Sequence, residues 1–326
     1  NPFSVYAGMF KGAFGTKRKT WIFIRDTMLL LGVGLALIPA FKMKFWNLGG
    51  NGQILMGGLA TVACMFYLGG KMPDWSVNIL MFITSVLVGA IWAVIPAIFK
   101  AFFKTNESLF TLMMNYVAVA FVQFAISKWN PSGSMSLKEI TVANLPVIGK
   151  NYMYLFITLS VVLMEVIMTI YLKFSKHGYE LSVVGESENT ARYIGINVKK
   201  VTIRTVALSG ALCGVVGFLL AGSWHHSISS STANNMGFTS IMVAWLAGFD
   251  PLMMILSAAF ITFLNNGMSG VLSTFKITSS AIPNLVIGIM YFCVLGFTFF
   301  ISYQVKFSKK IKIPFLKKKQ KEDKEV

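Results

Sequence analysis

Residues 46–58 read WNLGGNGQILMGG, with five glycines and three amide side chains (Asn47, Asn51, Gln53) set between strongly apolar runs. What such a stretch can be depends on the solvent around it. The chain has 326 residues, 55% hydrophobic and 13% charged, with a mean hydropathy of +0.67. A soluble domain carries about 25% charged residues, so most of this chain faces lipid or other apolar helices. In hydrocarbon every backbone polar group needs an internal partner, which leaves spanning helices or a closed barrel. The apolar segments lack period-2 alternation and mostly run roughly 17–23 residues, the length of spanning helices. The fold class expected is all-α, a polytopic membrane helical bundle.

Nine apolar segments are expected at about 21–41, 53–70, 77–99, 109–127, 152–172, 205–223, 237–250, 251–267 and 281–303. The seventh and eighth are divided by Asp250-Pro251, which marks a tight turn, since proline lacks a donor and disfavours helix before it. With the 173–204 loop and the tail in the cytoplasm, 19 of the 29 Lys and Arg residues fall inside, the expected bias. The organisation predicted is an external N-terminal segment at 1–20, a transmembrane domain at 21–303 with a cytoplasmic loop at 173–204, and a basic cytoplasmic tail at 304–326. This orientation leaves the N-terminus outside without a signal peptide, so about nine helices are expected here and one N-terminal helix upstream. The formal charge of +17 sits mainly at the flanks of spans and predicts no nucleic-acid partner. Cys64, Cys213 and Cys293 all lie in apolar runs and read as small buried hydrophobes.

The 173–204 loop carries both signs of charge. Ser187, or Glu188, can cap a short helix through Ala191, Arg192 and Tyr193, which Gly195 then ends. From "GYELSVVGESENTARYIGINVKKVTIRTVALSGALCGVVGFLLAG" onward the chain resembles permease subunits of ABC importers, of the branched-chain amino acid/ribose permease superfamily. It is most similar to the simple-sugar and nucleoside branch, whose partners are basic-membrane-protein-type lipoproteins. "NPFSVYAGMFKGAFGT", "FWNLGGNGQILMGG", "TLMMNYVAVAFVQFAIS" and "NMGFTSIMVAWLAGFDPLMMILSAAF" resemble other stretches of that branch in order. Asn51 stands where the family pattern has an acid, and the pair His225-His226 is not part of the pattern.

The resemblance implies a pore-forming subunit in a bacterial plasma membrane that carries nucleosides or simple sugars. Its implied partners are a cytoplasmic ABC ATPase, a second related permease or a second copy of itself, an external substrate-binding lipoprotein, and membrane lipid. No cofactor is implied. Gly185, Glu186, Ala191, Arg192, Gly195 and Ile196 are the expected ATPase-coupling residues. Asn47, Gln53, Asn115 and Tyr116 are the expected pathway residues, since amides and a phenol can hydrogen-bond sugar hydroxyls or a base edge. The glycine stretch reads either as an interrupted helix facing the pathway or as a cytoplasmic turn with close helix packing. Asn234, Asn235, Asn265 and Asn266 are weaker candidates at helix ends.

Glu165 is the one acid deep in an apolar span, where an isolated carboxylate must be paired, protonated or wet. It keeps open an alternative, a secondary transporter or channel driven by an ion gradient. No phosphate-binding loop, nucleophile elbow or metalloprotease pattern occurs, so no catalytic residue is expected and ATP hydrolysis is expected of a separate partner. His225-His226 lack further ligands nearby in sequence, so no metal is expected.

Overall fold

The computed structural model describes residues 2–130, 137–145 and 154–275, and positions 285–286, 288–289, 291–293 and 296–297. Two compact units divide the chain, residues 1–283 and 284–326. The described residues of the second are helical, while the basic tail 304–326 lies outside the described residues. The first unit is all-helical among its described residues. Its helices are α1 (Pro2–Phe14), α2 (Lys17–Lys42), α3 (Gly50–Leu68), α4 (Asp74–Phe103), α5 (Glu107–Trp129) and α6 (Leu155–Phe174), then α7 (Lys176–Glu186), α8 (Glu188–Tyr193), α9 (Val198–Leu219), α10 (Met236–Leu246) and α11 (Pro251–Thr274). A π-helical turn, Leu220–His225, continues α9.

Among the described residues, seven helices are long and apolar enough to cross a membrane: α2 to α6, α9 with its π turn, and α11. The expected count of about nine is therefore not reached among the described residues. The seventh apolar segment makes only the 11-residue α10, and the ninth, 281–303, lies largely outside the described residues. At the N-terminus the expected external segment is a helix. α1 lies along α11 with Gly12 against Gly267 and Gly270, and the rings of Phe10 and Phe14 meet Phe263. Thirteen residues with two glycines gave it no span-length signal.

Charge places the two ends of the bundle. At one end Lys100 pairs with Glu107 (2.7 Å) and Lys173 with Asp250 (3.2 Å), and α7 and α8 lie there. Five helices begin at this end with side-chain caps that satisfy their free first-turn N–H groups. Asn106 caps α5, Ser175 α7, Ser187 α8, Asn197 α9 and Asp250 α11. At the other end the Arg25 guanidinium lies 3.6 Å from the Trp224 ring centroid and holds Asp26 Oδ1 at 2.7 Å. Asn266 in turn donates to Asp26 Oδ2 at 3.2 Å.

α2 is buried from Leu29 to Phe41, as a helix apolar all round must be. It is wrapped by α6, α9, α10 and α11. α3, α4 and α9 pack at backbone contact, because small residues let helix axes approach. A Cβ added at Gly214 would collide with the Ser85 carbonyl oxygen, and one at Gly57 would come within 2.7 Å of Gly214 Cα. The outer faces of α4, α5 and α6 are apolar and exposed, as lipid contact requires. Cys213 is buried as expected, whereas Cys64 is half-buried and Cys293 exposed.

Gly214→Leu is expected to lower the melting temperature of the purified membrane complex by several degrees, since overpacking costs about 1–3 kcal/mol. Gly58→Ala, whose new methyl would meet neighbours only at 3.5–3.8 Å, should leave it within a degree or two; differential scanning fluorimetry reads both.

Candidate functional site

The glycine stretch connects α2 to α3 by a sharp bend. α2 stops with Lys44 in the left-handed region (φ 57°). Phe45 N–H bonds back to the Ala40 carbonyl (2.9 Å) and Lys44 N–H to that of Phe41 (2.8 Å), the paired bonds of a Schellman stop. The chain then runs without helix to Gly50. α3 has no cap of its own, and neighbouring side chains supply the partners. Asn115, on α5, accepts from Gly52 N–H (2.8 Å) and donates to the Leu48 carbonyl (2.9 Å). Thr111 Oγ1 accepts from Leu48 N–H (3.1 Å) and Asn47 Oδ1 from Gly49 N–H (3.0 Å). Asn51 Oδ1 accepts from Gly237 N–H in the first turn of α10 (2.8 Å). An added Cβ at Gly52 would sit 2.9 Å from Asn115 Oδ1, so this clamp needs glycine.

The four expected pathway residues divide into two pairs. Asn47 and Gln53 are buried and bond to each other (3.1 and 3.3 Å), and Asn47 also donates to Ser209 Oγ (3.3 Å). They brace the bend. Asn115 and Tyr116 instead line a 310 Å³ pocket with Asn51, Ser230, Ser231, Asn234, Asn235 and Phe238, among others. Tyr116 is 67% exposed. Asn234 and Asn235 are consecutive left-handed residues (φ 40° and 55°), a conformation asparagine tolerates better than most residues. Among the described residues, no Lys, Arg, His, Asp or Glu lines the pocket. Asn265 and Asn266 lie on α11, away from it. The serines and Phe238 were missed by sequence reasoning, although the polar run SISSSTANN between two apolar segments carried their signal.

The pocket sits at mid-bundle. Tyr116 is the tenth residue of the 23-residue α5, which places it roughly 14 Å from that helix's start at 1.5 Å per residue. α10 gives an independent measure. Its 11 residues, roughly 16 Å of helix, separate Asn235 from the turn at Asp250. Residues 226–250 thus cross from the Trp224 end to the Asp250 end by an irregular run followed by a half-length helix. The π turn frees the Gly222 carbonyl, which accepts from Leu145 N–H (3.1 Å), and the His226 carbonyl accepts from Ile140 N–H (2.8 Å).

At the charged end, α8 has the expected limits. Ser187 Oγ accepts from Thr190 N–H (3.2 Å). Gly195 is left-handed (φ 85°), with Ile196 N–H on the Ala191 carbonyl (2.9 Å) and Gly195 N–H on that of Arg192 (3.1 Å), a second Schellman stop. Gly185 and Ala191 are buried: a Cβ at Gly185 would strike the Lys42 carbonyl oxygen of α2. Glu186 and Arg192 point outward, and Arg192 pairs with Glu188 (3.1 Å). Tyr193, on α8, is 94% exposed. Behind it a 410 Å³ cleft, lined by Lys44, Lys104, Glu186 and Lys199 among others, separates the loop from the α4–α5 turn. The Arg204 hydrogen bond (2.8 Å) holds the Glu180 carboxyl below its ordinary pKa. Burial raises the Asp250 carboxyl, but hydrogen bonds from Lys173 and Leu252 N–H outweigh it and leave it lowered. Glu165 is buried, accepts from Thr169 Oγ1 (3.2 Å) through one oxygen and has no partner on the other. His225 stacks on Trp224 (4.1 Å).

A broken helix, a half-length helix and a polar pocket between them, inside an otherwise apolar bundle, define a membrane transport protein. Residues 20–295 match the family model described as branched-chain amino acid transport system / permease component, and the chain belongs to that family. It is 28% identical to the guanosine ABC transporter permease protein NupP of Bacillus subtilis over 93% of this chain and 87% of NupP. It is 27% identical to the nucleoside ABC transporter permease protein NupB of Lactococcus lactis, over 96% of this chain and 86% of NupB. A different chain of the same organism, the nucleoside ABC transporter permease protein NupC, is 26% identical over 69% of this chain and 68% of NupC. The protein is a multi-pass membrane subunit of an ABC importer, and ATP hydrolysis belongs to a separate ATPase. That excludes the gradient-driven alternative.

Asn115→Leu strands Gly52 N–H and the Leu48 carbonyl, at about 1–3 kcal/mol for each unsatisfied group. A sharp fall in folded yield is expected, read by size-exclusion chromatography in detergent. Tyr116→Ala, which removes an exposed ring that makes no hydrogen bond among the described residues, should leave yield unchanged.

Proposed function

We propose that this chain is one half of a nucleoside-conducting pore. The observation that carries this reading is the mid-bundle pocket, whose amides, hydroxyls and Tyr116 ring line it without a formal charge. Amides and hydroxyls match ribose hydroxyls and a base edge, and the phenol offers a stacking face. A phosphate would find no cation there. The names of the relatives NupP, NupB and NupC point the same way. An external binding lipoprotein delivers cargo, and the cytoplasmic ATPase grips the outward face of α7–α8 through Glu186, Arg192 and the neighbouring Tyr193. Gly185 and Ala191 act from inside that element by seating it on α2, and Gly195 and Ile196 end it. ATP-driven closure of the ATPases moves this element and rocks the bundle.

The proposed orientation puts the α7–α8 end in the cytoplasm of a bacterial cell, as the lysine and arginine bias favours. Residues 281–303 supply one more span and 304–326 a basic tail against anionic lipid. Counting the irregular run plus α10 as one crossing, the path through the membrane then has nine crossings, one of them broken. The second permease is a related but non-identical chain, since two distinct Lactococcus chains both resemble this one.

The test is ATP-dependent uptake in proteoliposomes holding both permeases, the ATPase and the lipoprotein. Labelled guanosine should enter and guanosine monophosphate should not; equal uptake of both would overturn the reading. Tyr116→Ala should lower guanosine uptake about tenfold, within the ~1–3 kcal/mol of base–aromatic stacking, with ATPase co-elution unchanged. Tyr193→Glu should reduce ATPase co-elution, read by pull-down through a tag on this chain.

A further inference from the structure

Glu165 lies halfway along α6 and is 5% exposed. Among the described residues one of its carboxyl oxygens has a hydrogen-bond partner, Thr169 Oγ1 at 3.2 Å; Oε2 is buried without one. Charged groups on the neighbouring elements are engaged elsewhere. Lys173, roughly 12 Å further along the helix at 1.5 Å per residue, holds Asp250 of α11 at 3.2 Å. Glu180 of α7 holds Arg204 at 2.8 Å. On α2, Arg25 holds Asp26 at the far end (2.7 Å), and Lys42, at the other end, feels Asp250 and Lys173. An ionised carboxylate at the position of Glu165 would therefore be buried at mid-span with a single hydroxyl as partner, which is costly.

The register of α6 against α2 shows what the second oxygen can meet. Arg25 Nη1 lies 3.4 Å from Tyr154 Oη, and a Cβ on Gly32 would lie 3.4 Å from Val161 Cγ2. Both pairs are 129 positions apart, so the two helices run parallel and in step. One and two turns further on, that register sets Glu165 level with Ala36 and Met168 level with Pro39. Gly32, Leu35, Ala36 and Pro39 share one helix face, as do Val161, Glu165 and Met168. Pro39 stands inside α2 and has no N–H, so the Leu35 carbonyl loses its α-helical donor. Leu35 is fully buried, and a buried carbonyl needs a partner from elsewhere. We infer that Glu165 carries a proton on Oε2 and donates it as a hydrogen bond to the Leu35 carbonyl, bridging α6 to the proline break of α2. Only the neutral acid can do so, since a carboxylate accepts and never donates. One proton then removes a buried charge and satisfies the carbonyl that proline frees. The break lies just before Lys42, whose carbonyl Gly185 of α7 abuts. With the bridge in place the end of α2 is tied to α6 and does not swing freely about Pro39. None of this depends on the cargo.

The test uses the purified membrane complex. An infrared difference spectrum, native minus Glu165→Gln, should show at neutral pH the C=O stretch of a protonated carboxylic acid. Pro39→Ala returns an N–H to the Leu35 carbonyl, so in that background the band should shift or vanish. Thermal melting gives a second readout. Glu165→Leu should lower the midpoint by several degrees in the native background and by less than half as much beside Pro39→Ala. Glu165→Gln, whose amide can donate to the same carbonyl, should stay within a degree or two of the native protein. The bridge is overturned by the lack of an acid band at neutral pH, or by a band that Pro39→Ala leaves unchanged. It is equally overturned if Glu165→Leu costs the same in both backgrounds, or if Glu165→Gln costs as much as Glu165→Leu. Should Glu165→Leu fail to fold, the infrared bands and the Glu165→Gln melt still decide.

Discussion

The structure depends on how a helix is broken where water is scarce. Between α2 and α3 the backbone leaves helical geometry for several residues, and each freed N–H or carbonyl must find a partner or cost about 1–3 kcal/mol. Asn47, Thr111 and Asn115 provide such partners to the bend, and Asn51 accepts from Gly237 N–H of α10. The bend is thereby tied to α5 and to the first turn of α10, and its position fixes both. The pocket lies where α3 and α10 begin side by side, lined on its third side by the middle of α5.

The bend also lies next to the proposed engine contact. Gly185 presses α7 onto the Lys42 carbonyl, at the last residue of α2. Trp46, in the bend itself, meets Phe41 of α2 and Trp245 of α10 at ring distances of 5.9 and 5.6 Å. A displacement of α7 therefore bears on the end of α2, and the aromatic cluster joins that point to the half-length helix that borders the pocket. The packing is at backbone contact, so there is little free volume to absorb such a displacement. Lys44 is held in a conformation where glycine would be easier, which leaves this joint with one defined geometry.

Much of the fold was legible from apolar run lengths alone, because spanning length and backbone satisfaction restrict the choices severely. The coupling loop was legible in finer detail: Ser187 and Gly195 announce the ends of α8 by local chemistry that needs no tertiary partner. Two features were not. The apolar stretch 237–250 has the composition of a span, and only the tertiary bond from Gly237 N–H to Asn51 shows that its helix begins at mid-bundle. Likewise Asn47, Gln53 and Asn115 look alike in sequence. Which amide braces the backbone and which also borders a cavity is decided by residues more than sixty positions away. Asn115 does both, which is why residue type alone does not assign it a role.

The broken crossing explains why the run SISSSTANN is polar at all. A continuous helix there would satisfy its own backbone, and apolar side chains would suffice. Residues 226–235 do not, so they need small polar side chains that fold back on the chain. Ser229 N–H bonds to Thr232 Oγ1 (2.8 Å), and Thr232 and Asn234 N–H groups turn back to Ser229 and Ser231 carbonyls. These local turns satisfy part of the backbone and leave the side chains of Ser231, Asn234 and Asn235 directed outward. The chemistry that permits the break therefore also supplies hydrogen-bonding groups at mid-depth.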